Sequence, residues 1–179
     1  GQHFDANMSD VFFDQLDIPR PDHHLGIASL SHGAMTGRML EKTEAVLISE
    51  KPDLVMVYGD TNTTLAGALA ARKLNLPVAH VGAGLRSFRM TMPEEVNRIL
   101  TDRISDLLFC PTDQAISNLR NEGFNHFPCV LHKVGDVMYD SALYYSRLAE
   151  QHSTVLSRLF PDGQSAYLLC TIHRQENPD

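Results

Sequence analysis

Four short, mostly apolar runs constrain this chain more than any other feature: Leu54–Tyr58, Pro77–Val81, Asp106–Cys110 and Val130–Val134. Each is bounded by glycine, proline or a polar turn and leads into a helical pattern. Continuous apolar runs of this length suit parallel strands covered on both faces. The intervening patterns are an Ala/Leu-rich helix to about Leu74 and a helix opening at Pro93 that carries Val96, Ile99, Leu100 and Ile104. A third is capped by Thr112 and ended by Gly123. Further helices are expected around Asn7–Leu16, with Ser9 or Asp10 near the start, over Ser31–Glu50, and from Gly135 through Tyr144. Strands and helices in this alternation imply a layered α/β fold with a parallel sheet and right-handed crossovers. One domain is expected over 1–147, a polar linker over 148–165, and the start of a second domain over 166–179, led by a strand at Tyr167–Ile172.

Composition narrows the function classes. The 179 residues are 43% hydrophobic, enough for a core, and the net charge of −7 gives no basic footprint for nucleic acid. No apolar run reaches membrane-spanning length. The three cysteines, Cys110, Cys129 and Cys170, lack metal or redox spacing. Because Cys110 and Cys170 end apolar runs, buried thiols in a reducing cytoplasm are expected. The nine histidines form no ligand pattern such as HExxH, so no dedicated metal site is expected.

The chemistry-bearing residues concentrate where strands give way to helices. Gly59-Asp60-Thr61 follows one strand, and Gly82-Ala83-Gly84 follows the next. Arg86 stands in the loop beyond, and Pro93-Glu94-Glu95 opens a helix with acids where the macrodipole favours them. In a parallel sheet these segments gather at the carboxyl edge, where such folds bind ligands. Each residue also has a plainer reading. Asp60 could cap a helix, Glu94 and Glu95 could be dipole-matched surface acids, and Arg86 could form a surface ion pair or clamp an anion. His80 reads as a satisfied core histidine, and Met90 and Met92 as packing residues. His173-Arg174, at a strand terminus, suits a diphosphate.

Taken in order, GQHFDANMS, YGDTNTTLAGALAA, HVGAGLRSF, MPEEVNRILTD, FCPT, VGDVMYDS and TIHRQEN resemble the non-hydrolysing UDP-N-acetylglucosamine 2-epimerases, from Gln2 to Asn177. GQHFDANMS, LRSFRMTMPEE and GDVMYDS are most similar to the branch acting on UDP-2,3-diacetamido-glucuronic acid. The resemblance implies a Rossmann-like sheet forming the amino-terminal half of a GT-B-type two-domain fold, with the nucleotide sugar between the halves. It implies inversion at C2 by elimination of UDP to a 2-acetamidoglycal and re-addition, with no metal and no cofactor. Asp60, Glu94 and His173 fall on catalytic positions of the family, and Gly82 falls on the position of a family glutamate. Arg86, Glu95, Arg174 and Asn177 are expected to contact substrate. Gln2 and Arg38 match a second, activating UDP-sugar site of some bacterial members. The family also implies a cytoplasmic homodimer.

Two departures bear on activity. The family motif reads HVEAGLRS where this chain has HVGAGLRS, and glycine moves no proton. Loss of a positioned acid or base lowers rates by about 10²–10⁴. The chain also opens on Gly1 and stops after TIHRQENPD, which reads as truncation at both ends, including the first strand. The isolated chain is therefore expected not to epimerise. The rival expectation is a degenerate, non-catalytic nucleotide-sugar-binding or assembly subunit. A glycosyltransferase of the same architecture fits the MPEE and HRQEN motifs less well.

Overall fold

The structure, a computed structural model, describes residues 9–161 and 166–170. Four parallel strands form one sheet in the order β1-β2-β3-β4: β1 (Val55–Tyr58), β2 (Val78–Val81), β3 (Leu107–Cys110) and β4 (Val130–Lys133). Val55 pairs with Val78, Ala79 with Leu107, and Leu107 with Val130. The crossovers are α3 (Asn62–Lys73), α4 (Pro93–Ile104) and α5 (Asp113–Asn121). Two helices precede the sheet, α1 (Asp10–Gln15) and α2 (His32–Glu50). Sequential parallel strands joined by helices are the arrangement expected from the alternating pattern.

Local chemistry explains the helix boundaries. The side chains of Thr61 and Thr112 accept hydrogen bonds from the N–H groups of Thr64 and Ala115, satisfying donors that open α3 and α5. Pro93 takes the first position of α4, with Glu94 and Glu95 in its first turn. α2 ends at Lys51 in a left-handed conformation, so its stop precedes Pro52.

The core has two parts. Leu47, Val57, Ala68, Ala70, Ala71 and Val78 pack α2 and α3 against the sheet. Ala83, Leu108, Cys110, Ala115, Leu119 and Phe124 pack α5 against β3. Small residues on α3 let it lie close to its neighbours; Ala66, Ala68 and Ala71 are fully buried. Burial raises the Cys110 thiol to about 12, with Asp102 adding to the rise.

Several expectations are corrected. β1 is covered on one face only among the described residues, because Val57 is buried while Met56 and Tyr58 remain exposed. Residues 166–170 adopt no strand and pair with none of the described strands, and Cys170 is exposed rather than buried. Met90 is exposed although Met92 is buried. The short α1 buries no residue, and Phe12 is half exposed. The next helix, α6, runs over Val137–His152, beyond the expected end near Tyr144, and α7 follows at Val155–Leu159.

The chain divides into two compact units at Tyr139/Asp140. The first holds the sheet and α1–α5. The second holds most of α6, together with α7, and neither of these helices has a buried residue. No helix among the described residues is long and apolar enough to cross a membrane.

Inside α4 the Thr101 hydroxyl is buried with no hydrogen-bond partner among the described residues. Such a group costs about 1–3 kcal/mol of desolvation. Thr101→Val keeps the shape and removes the polar atom, so it is expected to raise stability by about 1 kcal/mol. A higher urea midpoint for the variant of the intact gene product, followed by circular dichroism, checks this.

Candidate functional site

Two glycine turns meet at the carboxyl edge of the sheet. After β1 the chain turns at Gly59, whose N–H bonds the Val81 carbonyl. After β2 it turns at Gly82, and the N–H groups of Gly82 and Ala83 both donate to the Phe109 carbonyl. The turns lie side by side: a Cβ on Gly82 would stand 3.8 Å from the Gly59 Cα.

The two glycines of the second turn differ in why they are there. Gly84 has φ +78°, and a Cβ there would lie 2.4 Å from the Ala115 carbonyl oxygen, so only glycine fits beneath α5. Gly82 has φ +89° but meets nothing closer than ordinary van der Waals contact. A side chain at Gly82 has room; its cost is the backbone conformation, about 1–2 kcal/mol.

Asp60 follows the first turn and is only partly buried. Its carboxylate lies 2.8 Å from Arg98 on α4, while its own carbonyl accepts a hydrogen bond from Asn97. Asn97 also reaches Asn62, so α4 clamps the start of α3. The helix cap is Thr61, which removes the plainer reading of Asp60 as the cap.

Glu94 and Glu95, adjacent in sequence, have different surroundings. Glu94 is half-buried, and its backbone carbonyl accepts from Arg98. Glu95 is buried, which corrects the surface-acid reading. Its carboxylate accepts the N–H groups of Ser87 and Phe88 and lies 3.5 Å from Arg98. Burial pushes its carboxyl up. The hydrogen bonds from Ser87 and Phe88 and the Arg98 charge together outweigh that, holding it below the usual carboxylate range. Phe88, in a left-handed conformation at φ +60°, is fixed by this bond with its ring exposed.

Arg86 is also corrected. Its side chain is 1% exposed, and its guanidinium is divided between Asp102 (2.7 Å) and Glu122 (2.7 Å). Burial works to lower its pKa, but the Glu122 and Asp102 contacts prevail and raise it, so the cation is permanent and internally neutralised. His80 is the satisfied core histidine expected, with Asp102 and the Gly59 carbonyl as partners. Arg38 lies exposed on α2, 3.2 Å from Glu41. His173, Arg174, Asn177 and Gln2 lie outside the described residues.

The structure therefore brings together Asp60, Gly82 and the start of α4 with Glu94, and draws Arg86 and Glu95 into the frame beneath them. Sequence reasoning missed Arg98, Asn97, Asp102 and Glu122. Arg98 and Asn97 lie within the MPEEVNR motif, and their spacing from Glu94 and Glu95 on one helix was the available signal. Among the described residues no cluster of three or more His, Cys, Asp or Glu side chains is placed to hold a metal.

The family model described as UDP-N-acetylglucosamine 2-epimerase matches residues 1–179. A UDP-2,3-diacetamido-2,3-dideoxy-D-glucuronate 2-epimerase of Pseudomonas aeruginosa is 58% identical over all of this chain and 49% of its own length. The chain thus spans about half the length of the curated relatives it matches. A UDP-GlcNAc 2-epimerase structure from Methanocaldococcus jannaschii, in complex with UDP-GlcNAc and UDP, is similar with a TM-score of 0.82 and 49% identity, over 89% of this chain and 43% of that one. One from Neisseria meningitidis, bound to UDP-GlcNAc, has a TM-score of 0.76 and 30% identity, over 90% and 44% of the two chains.

The depressed Glu95 carboxyl stabilises the fold above the ordinary carboxylate range, and that contribution is lost as pH falls through its folded value. Glu95→Gln keeps one acceptor oxygen for the Ser87 and Phe88 N–H groups but loses the second and the charge facing Arg98, so it is expected to cost about 1 kcal/mol at neutral pH. The gap to the parent should narrow on acidification, which urea midpoints of the intact gene product at several pH values will check.

Proposed function

Because the chain belongs to the UDP-N-acetylglucosamine 2-epimerase family, we propose that it supplies the amino-terminal half of an enzyme inverting C2 of a UDP-2-acetamido sugar. The observation that carries this reading is the meeting of Asp60, the open Gly82 turn and the Glu94 end of α4 at one sheet edge. UDP-GlcNAc and its diacetamido-glucuronate analogue are the candidate substrates, the latter favoured by the 58% identity to the Pseudomonas aeruginosa enzyme. A homodimer in the cytoplasm is the proposed state of the complete protein.

The reaction needs one group to take the C2 proton while the C1–O bond to UDP breaks, leaving the 2-acetamidoglycal. A second group then returns a proton to the opposite face of C2 as the UDP oxygen re-adds to C1. Asp60, partly exposed and oriented by Arg98, and Glu94, half-buried at the helix start, are the proposed acid–base groups. His173 and Arg174 are proposed to meet the leaving diphosphate. A glutamate at Gly82 would rise from a turn in contact with Gly59, beside Asp60. Its absence is expected to slow proton transfer rather than unfold the turn. Arg86 and Glu95 are reassigned from contact to support, since both are buried in ion pairs and hydrogen bonds.

Proton NMR in D₂O on the intact gene product, with UDP-GlcNAc and the diacetamido-glucuronate analogue, tests this. The Gly82 parent, Gly82→Glu and Gly82→Ala are compared, the last reporting backbone strain alone. Deuterium at C2 and growth of the epimer are expected, faster by about 10²–10⁴ in Gly82→Glu than in Gly82→Ala. Equal rates would assign proton transfer to Asp60 and Glu94 without the residue at Gly82. Neither deuterium nor epimer in any form would overturn the epimerase reading in favour of a binding subunit.

A further inference from the structure

Beneath the two turns lies a buried pair that the proton transfers do not use. His80, on β2, and Asp102, on α4, are both 0% exposed. The His80 Nε2 lies 2.7 Å from the Gly59 carbonyl oxygen, which only accepts, so Nε2–H donates to it. Nδ1 lies 2.6 Å from one Asp102 oxygen. The other Asp102 oxygen accepts the Gly84 N–H at 3.1 Å and the Arg86 guanidinium at 2.7 Å. Gly59 immediately precedes Asp60, and Gly84 lies two residues beyond Gly82. One imidazole–carboxylate pair therefore ties the turn bearing Asp60 to the turn bearing Gly82.

We propose that His80 and Asp102 are positioning residues for the C2 chemistry, fixing the Asp60 turn against the Gly82 turn. The inference rests on the reading of Asp60 as an acid–base group. Neither residue touches substrate, since both are sealed from solvent. Acid–base transfer needs groups held within about 0.5 Å of productive geometry. The Gly59 turn is also held by its own N–H to Val81, by Asn97 on the Asp60 carbonyl and by Arg98 on the Asp60 carboxylate. The His80 bond adds a buried link from this turn, through Asp102, to the Gly84 end of the second turn.

Two substitutions separate the two ends of the imidazole. An Asn side chain places its amide near the Nδ1 position and reaches Asp102 without reaching Gly59. A Gln side chain places its amide near the Nε2 position and reaches Gly59 without Asp102. His80→Asn and His80→Gln are made in the intact gene product, in whichever Gly82 background exchanges C2 deuterium faster. The readouts are kcat and KM with UDP-GlcNAc, the melting midpoint, and amide hydrogen exchange at Gly59–Asn62. His80→Asn is expected to lower kcat by about 10²-fold with KM unmoved and to speed exchange in the turn, and His80→Gln to recover most of both. Loss of kcat that follows the melting midpoint equally in the two variants, or no loss in either, would overturn the proposal. If neither background exchanges deuterium, the epimerase reading falls. The amide readout then still decides the brace: faster turn exchange in Asn alone supports it, and equal exchange refutes it.

Discussion

The carboxylate of Asp102 is the contact on which the rest of this edge depends. It lies fully buried on α4, where an unpaired anion would be untenable. Groups from three segments meet it: the His80 ring from β2, the Gly84 N–H from the glycine turn and the Arg86 guanidinium from the loop. Arg86 in turn reaches Glu122, just past α5. Removing one member would leave another charge buried without its partner, which costs about 3–5 kcal/mol, whereas replacing a whole buried set with apolar residues is often neutral. The network is better understood as fixing a geometry than as adding net stability.

That geometry explains the unequal standing of the two glycines in HVGAGLRS. Gly84 is required by the Ala115 carbonyl pressing on it and is held by Asn118 as well as by Asp102. Gly82 has no such neighbour. Sterics demand glycine at the second position and not at the first. A side chain at Gly82 would therefore leave the contacts of Gly84 and Asp102 undisturbed.

The fold was legible because its signals are local. The strands stood out as short apolar runs with turn residues at each end, and Thr112 and Pro93 marked helix starts by themselves. Asp60, Gly82 and Glu94 could be placed at one edge from topology alone. What escaped was non-local. Asp102 and Glu122 find Arg86 from 16 and 36 residues away, and no motif spacing foretells that pairing. Tyr167–Cys170 is as apolar as a strand, but a strand also needs an adjacent one, and none of the described residues supplies it. The same limit applies to Met56 and Tyr58, whose exposure depends on what covers the sheet rather than on their own character.

The paired acids of MPEE show how one helical step separates a buried carboxylate from a part-exposed one. Successive residues on a helix turn by about 100°, so Glu94 and Glu95 cannot share a face. Glu95 points into the loop 85–92, where two N–H groups and Arg98 satisfy it. Glu94 keeps part of its surface open at the helix end, near the Arg98 that holds Asp60. Arg98 thus faces carboxylates of both kinds, the buried one of Glu95 and the part-exposed one of Asp60. A single cation shared in this way couples the shape of the loop to the orientation of Asp60. Asp60 and the loop beside it are then set by the same helix turn.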